Sequence, residues 1–354
     1  MEKPNLFKHA RSELAQDAVL AYILEWAKPE LRDVNPKMNK LGYLLLTEMT
    51  SKSISKEINV KKLTINTQHN HIDVEIIING EIAMFIEDKI DGKLRSEQIQ
   101  DYKSGLKEKY KYVYAIYAKT GNESCVNKPK EDIDGFLYRT DILDILGKYD
   151  GNNSIITNYR EHLQAIENET QSFIHIPYNE WSPLAIEGYY MMLEQIIGLC
   201  DLPSMEYPSM WEYVANQKGG YRLLWWNYRD ITINDAKCKI YLQIEDAKKL
   251  TVRIGYCTLA GEKDVRTTTG WMQTVLRWLQ EYSKDFPELQ IKKVGRFRAG
   301  NTSSVAIISK PSNENNHLTY MSTYEDGRLN IRKTQQMLTA AGKLIDTLSK
   351  KYYI

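Results

Sequence analysis

Two apolar segments joined through Asn79 and Gly80 constrain the fold more than any other feature of this sequence. The segments HIDVEIII (71–78) and IAMFIEDKI (82–90) are rich in the β-branched and aromatic residues that favour strands. An Asn-Gly pair between two such runs is a strong hairpin signal, because both residues tolerate left-handed backbone conformations. The sequence therefore predicts an antiparallel hairpin over 71–90.

Helical and strand-like patterns flank this hairpin on both sides. Apolar residues recur at three-to-four spacing over 12–26, which is typical of an amphipathic helix, and 57–67 predicts a strand. After the hairpin, the pattern of residues 94–110 predicts a second helix, and that of residues 112–118 predicts a buried strand. The predicted order is helix, three strands, helix and strand, which together form an α/β layer of about 120 residues.

The chain has 354 residues, which exceeds the size at which a single hydrophobic core usually stops growing. A polar, Gly- and Asn-containing region before residue 170 marks a boundary, so we predict two domains, 1–170 and 171–354. Helical patterns in the second half lie at 184–199, 271–282 and 334–348, and strand-like runs lie at 221–229, 239–246, 250–260 and 304–308. This half is predicted to be an α+β domain that contacts substrate or a partner.

Composition narrows the class of protein. Hydrophobic residues make up 42% and charged residues 26% of the chain, as in ordinary globular proteins. No apolar run approaches the roughly 20 residues that a bilayer-spanning helix needs, so no membrane partner is expected. The N-terminus lacks the apolar region of a secretory signal, which favours a cytoplasmic location. Four scattered cysteines without a CxxC pair are expected to be buried free thiols: Cys125, Cys200, Cys238 and Cys257.

Net charge gives no argument for a nucleic-acid partner, because it is only +1. A local basic stretch at 291–301 is the best candidate for such a contact, with Phe297 as a stacking or packing side chain. The stretch carries four cations and no acid: Lys292, Lys293, Arg296 and Arg298. It is either a nucleic-acid contact or a solvated strand face, and the sequence leaves both open.

Charged residues interrupt the second hairpin strand just before it ends. Side chains on a strand alternate between faces, so Glu87 and Lys89 point the same way and Asp88 points to the other face. Asp73, on the preceding strand, is expected to approach Glu87 across the pair. Two close carboxylates raise each other's pKa unless a cation neutralises them, and Mg²⁺ binds through one or two carboxylates. The pattern predicts a metal site beside a lysine; the alternative is a surface ion pair on an edge strand.

On these residues the chain resembles the PD-(D/E)XK nuclease superfamily, whose core is a helix, three strands, a helix and a strand. Asp73 resembles the motif aspartate, although Ile72 precedes it where the motif has proline. Glu87-Asp88-Lys89 resembles the (D/E)xK element. The resemblance therefore implies an N-terminal nuclease-like core, whereas the α+β domain predicted for the second half matches no motif of a known family.

Two helical elements extend the resemblance. Gln98 and Tyr102 are four residues apart, on one helix face, and are similar to the QxxxY element of the RecB-type branch. Glu13 resembles the glutamate of the first helix, and Asp17 is predicted to share its face. The residues of this helix that are expected to pack inward are Leu14, Ala18 and Tyr22.

The resemblance implies a nuclease that uses Mg²⁺ or Mn²⁺ to hydrolyse phosphodiester bonds. DNA is the expected substrate, and prokaryotic phage defence or repair is the expected role. The resemblance assigns catalytic roles to Asp73, Glu87, Lys89, Gln98 and Tyr102. It assigns metal binding to Glu13, Asp73, Glu87 and Asp88. The alternative is a catalytically silent nuclease-fold subunit that binds nucleic acid or regulates a multiprotein complex. Three questions remain open. They are whether the substrate is DNA or RNA, whether the cleavage is endo- or exonucleolytic, and whether the chain associates with a second copy or another protein.

Overall fold

The computed structural model describes residues 5–10, 12–54, 58–92, 94–127, 132–199, 209–217, 219–260, 262–311 and 320–353. Over these ranges the chain is mixed α/β and contains two separate sheets. It divides into two compact units. Unit 1 is Met1–Asn122 with Lys128–Asn168, and unit 2 is Glu123–Asn127 with Glu169–Ile354.

Unit 1 is built on a mixed sheet with the strand order β1-β2-β3-β4-β5, in which the first three strands are antiparallel and β4 and β5 continue in parallel. Its elements in chain order are α1 (Glu13–Glu25), α2 (Pro36–Ser53), β1 (Leu63–His69), β2 (Ile72–Ile78), β3 (Ile82–Lys89), α3 (Ser96–Lys107), β4 (Tyr112–Lys119), β5 (Gly135–Tyr138), α4 (Arg139–Gly147) and α5 (Ser154–Gln171). The first predicted strand, 57–67, begins at Leu63 instead. The helix α2 lies between the first predicted helix and that strand and was not predicted.

The predicted hairpin of β2 and β3 is confirmed. Ile78 pairs with Ile82, and the turn between them places Asn79 at φ 56° and Gly80 at φ 76°. Such left-handed conformations cost Asn and Gly less than other residues. The Asn79 side chain also accepts hydrogen bonds from the backbone N–H groups of Lys61 and Lys62, at 2.8 and 3.0 Å. These bonds tie the turn to the chain that leads into β1.

Both faces of the unit 1 sheet are covered by helices. Val74, Ile76 and Ile86 belong to the core that includes α1 and α2, whereas Phe85 packs on the other face with Ile99 of α3. Strands covered on both faces are apolar almost throughout. The charged residues at the ends of β2 and β3 therefore stand out against this background.

Unit 2 is built on an antiparallel sheet with the strand order β11-β12-β9-β8-β7-β6, to which β10 adds beside β9. Its elements in chain order are α6 (Pro183–Ile196), β6 (Met210–Val214), β7 (Tyr221–Ile233), β8 (Ala236–Glu245), β9 (Lys249–Leu259), β10 (Glu262–Val265), α7 (Thr269–Tyr282), β11 (Gln290–Lys293), β12 (Thr302–Ser309) and α8 (Ile331–Tyr352). The strands and helices predicted in this half are all found, while β6, β10 and β11 were not predicted.

The expectation of free thiols was wrong for at least one pair of cysteines. Cys238 and Cys257 form a disulfide that joins β8 to β9, and the part of the chain that the structure describes contains no free cysteine. Cys200 lies outside the described residues. The sequence could not show this pairing, because only the register of two adjacent strands brings residues 19 positions apart face to face. Disulfides are more typical of oxidising compartments, so the cytoplasmic location stays a prediction.

None of the helices within the described ranges combines the length and the hydropathy that crossing a membrane requires. The longest of them, α8, spans 22 residues. Its buried side chains form one stripe that packs into the core of unit 2, and lysines occupy its last turn.

Candidate functional site

Three predicted side chains meet where β2 begins and β3 ends. The register of the hairpin, in which Val74 pairs with Ile86, brings Asp73 beside the end of β3. Lys89 Nζ donates a hydrogen bond to Glu87 Oε1 at 2.6 Å and lies 4.0 Å from Asp73 Oδ2. The backbone N–H of Asp88 donates to the same Asp73 oxygen at 3.0 Å. The structure thus brings Asp73, Glu87 and Lys89 together.

The helix α3 contributes Gln98 and Tyr102 to this cluster. Gln98 Nε2 lies 3.4 Å from Glu87 Oε2 and donates to the Tyr102 hydroxyl at 2.7 Å. That hydroxyl in turn donates to the backbone carbonyl of His71 at 2.6 Å. The two residues therefore form a chain of hydrogen bonds from the turn that precedes β2 to the Glu87 carboxylate. In this arrangement they position Glu87.

The helix α1 lies at the same end of the sheet. Glu13 Oε1 accepts a hydrogen bond from the backbone N–H of Ile90 at 3.0 Å, one residue after Lys89. Gln68 Nε2 donates to Asp17 Oδ2 at 3.2 Å and contacts Asp73 Oδ1 at 3.4 Å. Both acids of α1 therefore adjoin the cluster.

The predicted inward face of α1 was wrong for Leu14 and Ala18, whereas Tyr22 packs against the core as predicted. Leu14 is 61% exposed and Ala18 also faces solvent, whereas the buried face of the helix includes Gln16 and Asp17. Two hydrogen bonds account for the burial of these polar residues. Gln16 donates to Asp88 at the end of β3, and Asp17 accepts from Gln68 of β1. An apolar periodicity alone gives no sign of such partners.

Asp88 does not join Asp73 and Glu87. Its side chain is fully buried on the opposite face of β3, where it accepts a short hydrogen bond from Gln16 Nε2. Gln16 Oε1 accepts a bond of 2.6 Å from the Thr120 hydroxyl. The alternation of strand side chains predicted this orientation correctly. The structure does not bring the Asp88 carboxylate into the group of predicted metal ligands.

The site is crowded with acids, and the pKa values of three of them are raised. Burial, with a smaller contribution from the charge of Asp73, raises the pKa of Asp17 to about 7. Burial, with the charge of Asp17, raises the pKa of Asp88 to about 8. Burial also raises the pKa of Glu87, although its hydrogen bond with Lys89 opposes the change. A single lysine does not neutralise this many carboxylates.

The surroundings favour the charged form of Lys89, whereas they disfavour the charged form of these acids. Burial disfavours its charge, but the hydrogen bond to Glu87 and the charges of Glu87, Asp73 and Glu13 outweigh burial and raise the pKa of Lys89 above its usual value. Lys89 is therefore protonated at neutral pH. A protonated amine can orient groups or offset negative charge, but it cannot accept a proton.

The donor set suits a hard divalent cation. Within the described ranges, no group of three or more His, Cys, Asp and Glu side chains is arranged to hold a metal. Mg²⁺ commonly binds through one or two carboxylates and fills its shell with waters, which the pair Asp73 and Glu87 can supply. Asp17 Oδ1, beside this pair, is buried without a hydrogen-bond partner. Asp73 and Glu87 outnumber the single lysine that contacts them, so they are the residues that could hold such an ion.

Sequence reasoning missed Gln16, Gln68 and Thr120. Glu13, Gln16 and Asp17 are spaced three and four residues apart, so they form one polar stripe on α1, and that stripe was a readable signal. Gln68 and Thr120 carry no such signal, because their roles depend on contacts across 51 and 104 residues of chain.

We expect the Asp17→Asn protein to be more stable than the wild type at pH 8 in the absence of metal. Because the pKa of Asp17 is about 7 in the folded protein against an ordinary 3.8, the unfolded chain loses this proton first as the pH rises. Stability is therefore lost between those two values. The free energy of unfolding at pH 8 should rise by at least about 1 kcal/mol, roughly the value of one pKa unit. Urea unfolding with EDTA at pH 8 and pH 4 measures the effect.

The gain should shrink toward pH 4, where Asp17 is protonated in the folded protein and half protonated when unfolded. Asp33→Asn, at an exposed loop position, is the matched control and should change little at either pH. A gain at pH 4 as large as at pH 8 would contradict the assignment of the buried carboxyl.

The candidate site is thus defined by geometry within this chain. An acidic pair, a protonated lysine and a hydrogen-bonded Gln and Tyr pair meet at one end of the unit 1 sheet. Comparisons of this chain with protein-family models, with curated proteins and with solved structures found no match to any of them.

Proposed function

We propose that unit 1 is a metal-dependent nuclease that hydrolyses phosphodiester bonds, with DNA as its substrate. The observation that carries the proposal is the position of Lys89 Nζ, 2.6 Å from Glu87 and 4.0 Å from Asp73 on one face of the sheet. A carboxylate pair beside a protonated lysine can hold a cation and still leave a positive group to meet a phosphate. A purely structural ion pair needs one acid and one base, so it would not require the second carboxylate that is found here.

The roles of the residues follow from their contacts. Asp73 and Glu87 would hold Mg²⁺ or Mn²⁺, which when bound polarises phosphoryl oxygens and lowers the pKa of a bound water. Lys89 would offset the negative charge that develops on the phosphate. Gln98 and Tyr102 fix the Glu87 carboxylate, and Glu13 holds the backbone at Ile90.

The order of elements in unit 1 supports the resemblance to PD-(D/E)XK nucleases. A helix, three antiparallel strands, a helix and a parallel strand occur in this order, with α2 inserted after the first helix. The Gln and Tyr of the QxxxY-like element contact each other and the predicted acid. We propose further that the protein acts in the cytoplasm, as the sequence predicts, and in prokaryotic phage defence or repair, as the resemblance implies.

Incubation of the purified protein with labelled nucleic acids tests the proposal. Linear duplex, covalently closed circular and single-stranded DNA, and RNA of the same sequence, are each incubated with Mg²⁺, Mn²⁺ or EDTA. We expect metal-dependent cleavage of DNA. Cleavage of the circular form distinguishes endonuclease from exonuclease action, and no cleavage of any substrate with either metal would contradict the proposal.

A catalytically silent nuclease-fold subunit is the second candidate. It is favoured by the lack of a group of three acidic or histidine ligands among the described residues. The intact set of Asp73, Glu87 and Lys89 opposes it, because one substitution there would normally remove activity. The same assay separates the two, since the silent subunit would bind nucleic acid and leave it intact under all conditions.

We expect Tyr102→Phe to lower the rate of cleavage by roughly tenfold to a hundredfold, because the Glu87 carboxylate would lose part of its support and small displacements at a reacting site are costly. The phenylalanine retains the edge contact with Phe85, whose ring centre lies 5.8 Å away. Single-turnover cleavage at saturating metal measures the rate.

Tyr112→Phe is the matched control, because Tyr112 is 44% exposed on β4 and should be silent. An unchanged rate for Tyr102→Phe would mean that the hydroxyl does not position the site.

A further inference from the structure

Unit 2 contains a cavity that plays no part in the candidate nuclease site. It has a volume of about 410 Å³, within the usual range for small-molecule sites. Strands β9 and β12 and the segment 294–298 form its walls. Its lining combines four cations with three hydroxyls and contains no acid: Lys249, Arg253, Val294, Gly295, Arg296, Arg298, Thr302, Ser303 and Ser304.

The basic stretch at 291–301 proves to be divided. Arg296 and Arg298 line the cavity, whereas Lys292 and Lys293 are exposed on β11 and do not. Lys293 Nζ lies 4.8 Å from the centre of the Phe297 ring, and Phe297 packs against the hydrophobic core of unit 2. Only half of the predicted basic surface therefore faces the cavity.

The charge of the cavity is not neutralised by the protein. No ion pair within the described part of the chain holds Lys249, Arg253, Arg296 or Arg298. Glu245 faces Lys249 across the turn between β8 and β9 and forms no ion pair with it. Four like charges that share one concave site repel one another. Such a site gains most from a polyvalent anion.

The segment 294–298 of the cavity wall is held by its own contacts. Val294 is buried, and the backbone carbonyl of Arg298 accepts a hydrogen bond from the Ser303 hydroxyl at 2.6 Å. These two contacts hold both ends of the segment that carries Arg296. The arginines are therefore presented from a braced segment.

Arg253 lines the cavity from β9, and its side chain is also hydrogen-bonded to that of Tyr241. Its Nη2 donates to the Thr302 hydroxyl at 2.8 Å, while its Nε is buried and has no hydrogen-bond partner. An unmet buried donor of a charged group is costly. The planar guanidinium presents its donors as a fork that matches the oxygens of a phosphate.

We propose that this cavity binds the phosphate groups of a ligand, either a free nucleotide or the terminal phosphate of a polynucleotide. A phosphate carries the multiple negative charge that four cations require, which a single carboxylate does not. The hydroxyls of Thr302 and Ser304 can donate to further phosphate oxygens. The proposal does not depend on nuclease activity in unit 1.

Isothermal titration of the full-length protein with pyrophosphate in EDTA tests the site while no metal is present at unit 1. We expect saturable binding with one site per chain. Arg296→Ala combined with Arg298→Ala should weaken it by at least about tenfold, which corresponds to about 1.4 kcal/mol. Both side chains are exposed, so the variant should fold.

Lys292→Ala combined with Lys293→Ala is the matched control. It removes the same charge from the same stretch outside the cavity, so pyrophosphate affinity should stay within about twofold. No saturable binding by the wild type, or equal weakening by both double variants, would overturn the proposal.

Two further arms of the experiment identify the source of the phosphate. Oligonucleotides of one sequence with a 5′-phosphate or a 5′-hydroxyl are titrated in EDTA. Preference for the 5′-phosphate that the Arg296→Ala and Arg298→Ala changes abolish identifies a polynucleotide end. Binding of a nucleoside triphosphate without that preference identifies a free nucleotide.

Discussion

The Asp73→Asn and Glu87→Gln proteins are each expected to lose DNA cleavage by at least about a hundredfold and to lose metal affinity in parallel. A neutral amide is a much poorer ligand for a hard cation than a carboxylate. Both acids lie within 4.0 Å of Lys89 Nζ, so the two carboxylates face the same small region. Cleavage of labelled DNA and calorimetric titration with Mn²⁺ measure the two losses.

Folding should survive both changes. Glu87 is buried, and burial raises its pKa, so a neutral replacement removes an unfavourable charge. The exposed α3 residues Asp101 and Glu97 provide matched controls as Asp101→Asn and Glu97→Gln, which should retain full activity. Full cleavage by the Asp73→Asn protein with metal present would place the active site elsewhere.

Local signals explain which parts of the fold were predictable. The hairpin depends on Asn79 and Gly80, whose conformational preferences need no distant partner. The helix α2 also had readable signals. Asn35 caps the N–H of Met38, and Pro36 occupies the first turn, both frequent at helix starts. This helix was not predicted, although its sequence contains these start signals.

Asp88 shows where pattern and resemblance disagree. Strand alternation placed its side chain on the face opposite Glu87, and the structure agrees, whereas the resemblance assigned it to metal binding. Its partner Gln16, and Thr120, which donates to Gln16, come from distant parts of the chain. A periodicity within one strand fixes a face, but it gives no information about what the other elements place there.

Only two of the four cations that line the cavity of unit 2 could be identified from the sequence. Arg296 and Arg298 lie in a basic run that drew notice, but Arg253 and Lys249 sit on β9, more than 40 residues earlier. The register that pairs Arg253 with Ser304 joins the two groups. Charge runs are local in sequence, while a binding cavity collects charges across strands.

Lys89→Ala separates metal binding from the chemical step. The lysine is protonated, because the surrounding carboxylates raise its pKa above the usual value, so it acts as a positive charge and not as a base. Its removal leaves both carboxylates in place and takes away a positive charge that competes with a metal ion for them. We therefore expect Mn²⁺ affinity to be retained or increased, while cleavage slows by about a hundredfold, the usual loss for one electrostatic stabiliser.

Lys89→Arg and Lys107→Ala complete this test. Arginine keeps the charge, so it should recover part of the rate if charge near the phosphate is what matters. Lys107 is exposed at the end of α3, and its removal should be silent. If Lys89 served only to neutralise Glu87 and Asp73, bound metal would take over that role and the Lys89→Ala protein would cleave at the wild-type rate. A rate loss at saturating Mn²⁺ is therefore the result that assigns Lys89 to the reaction itself.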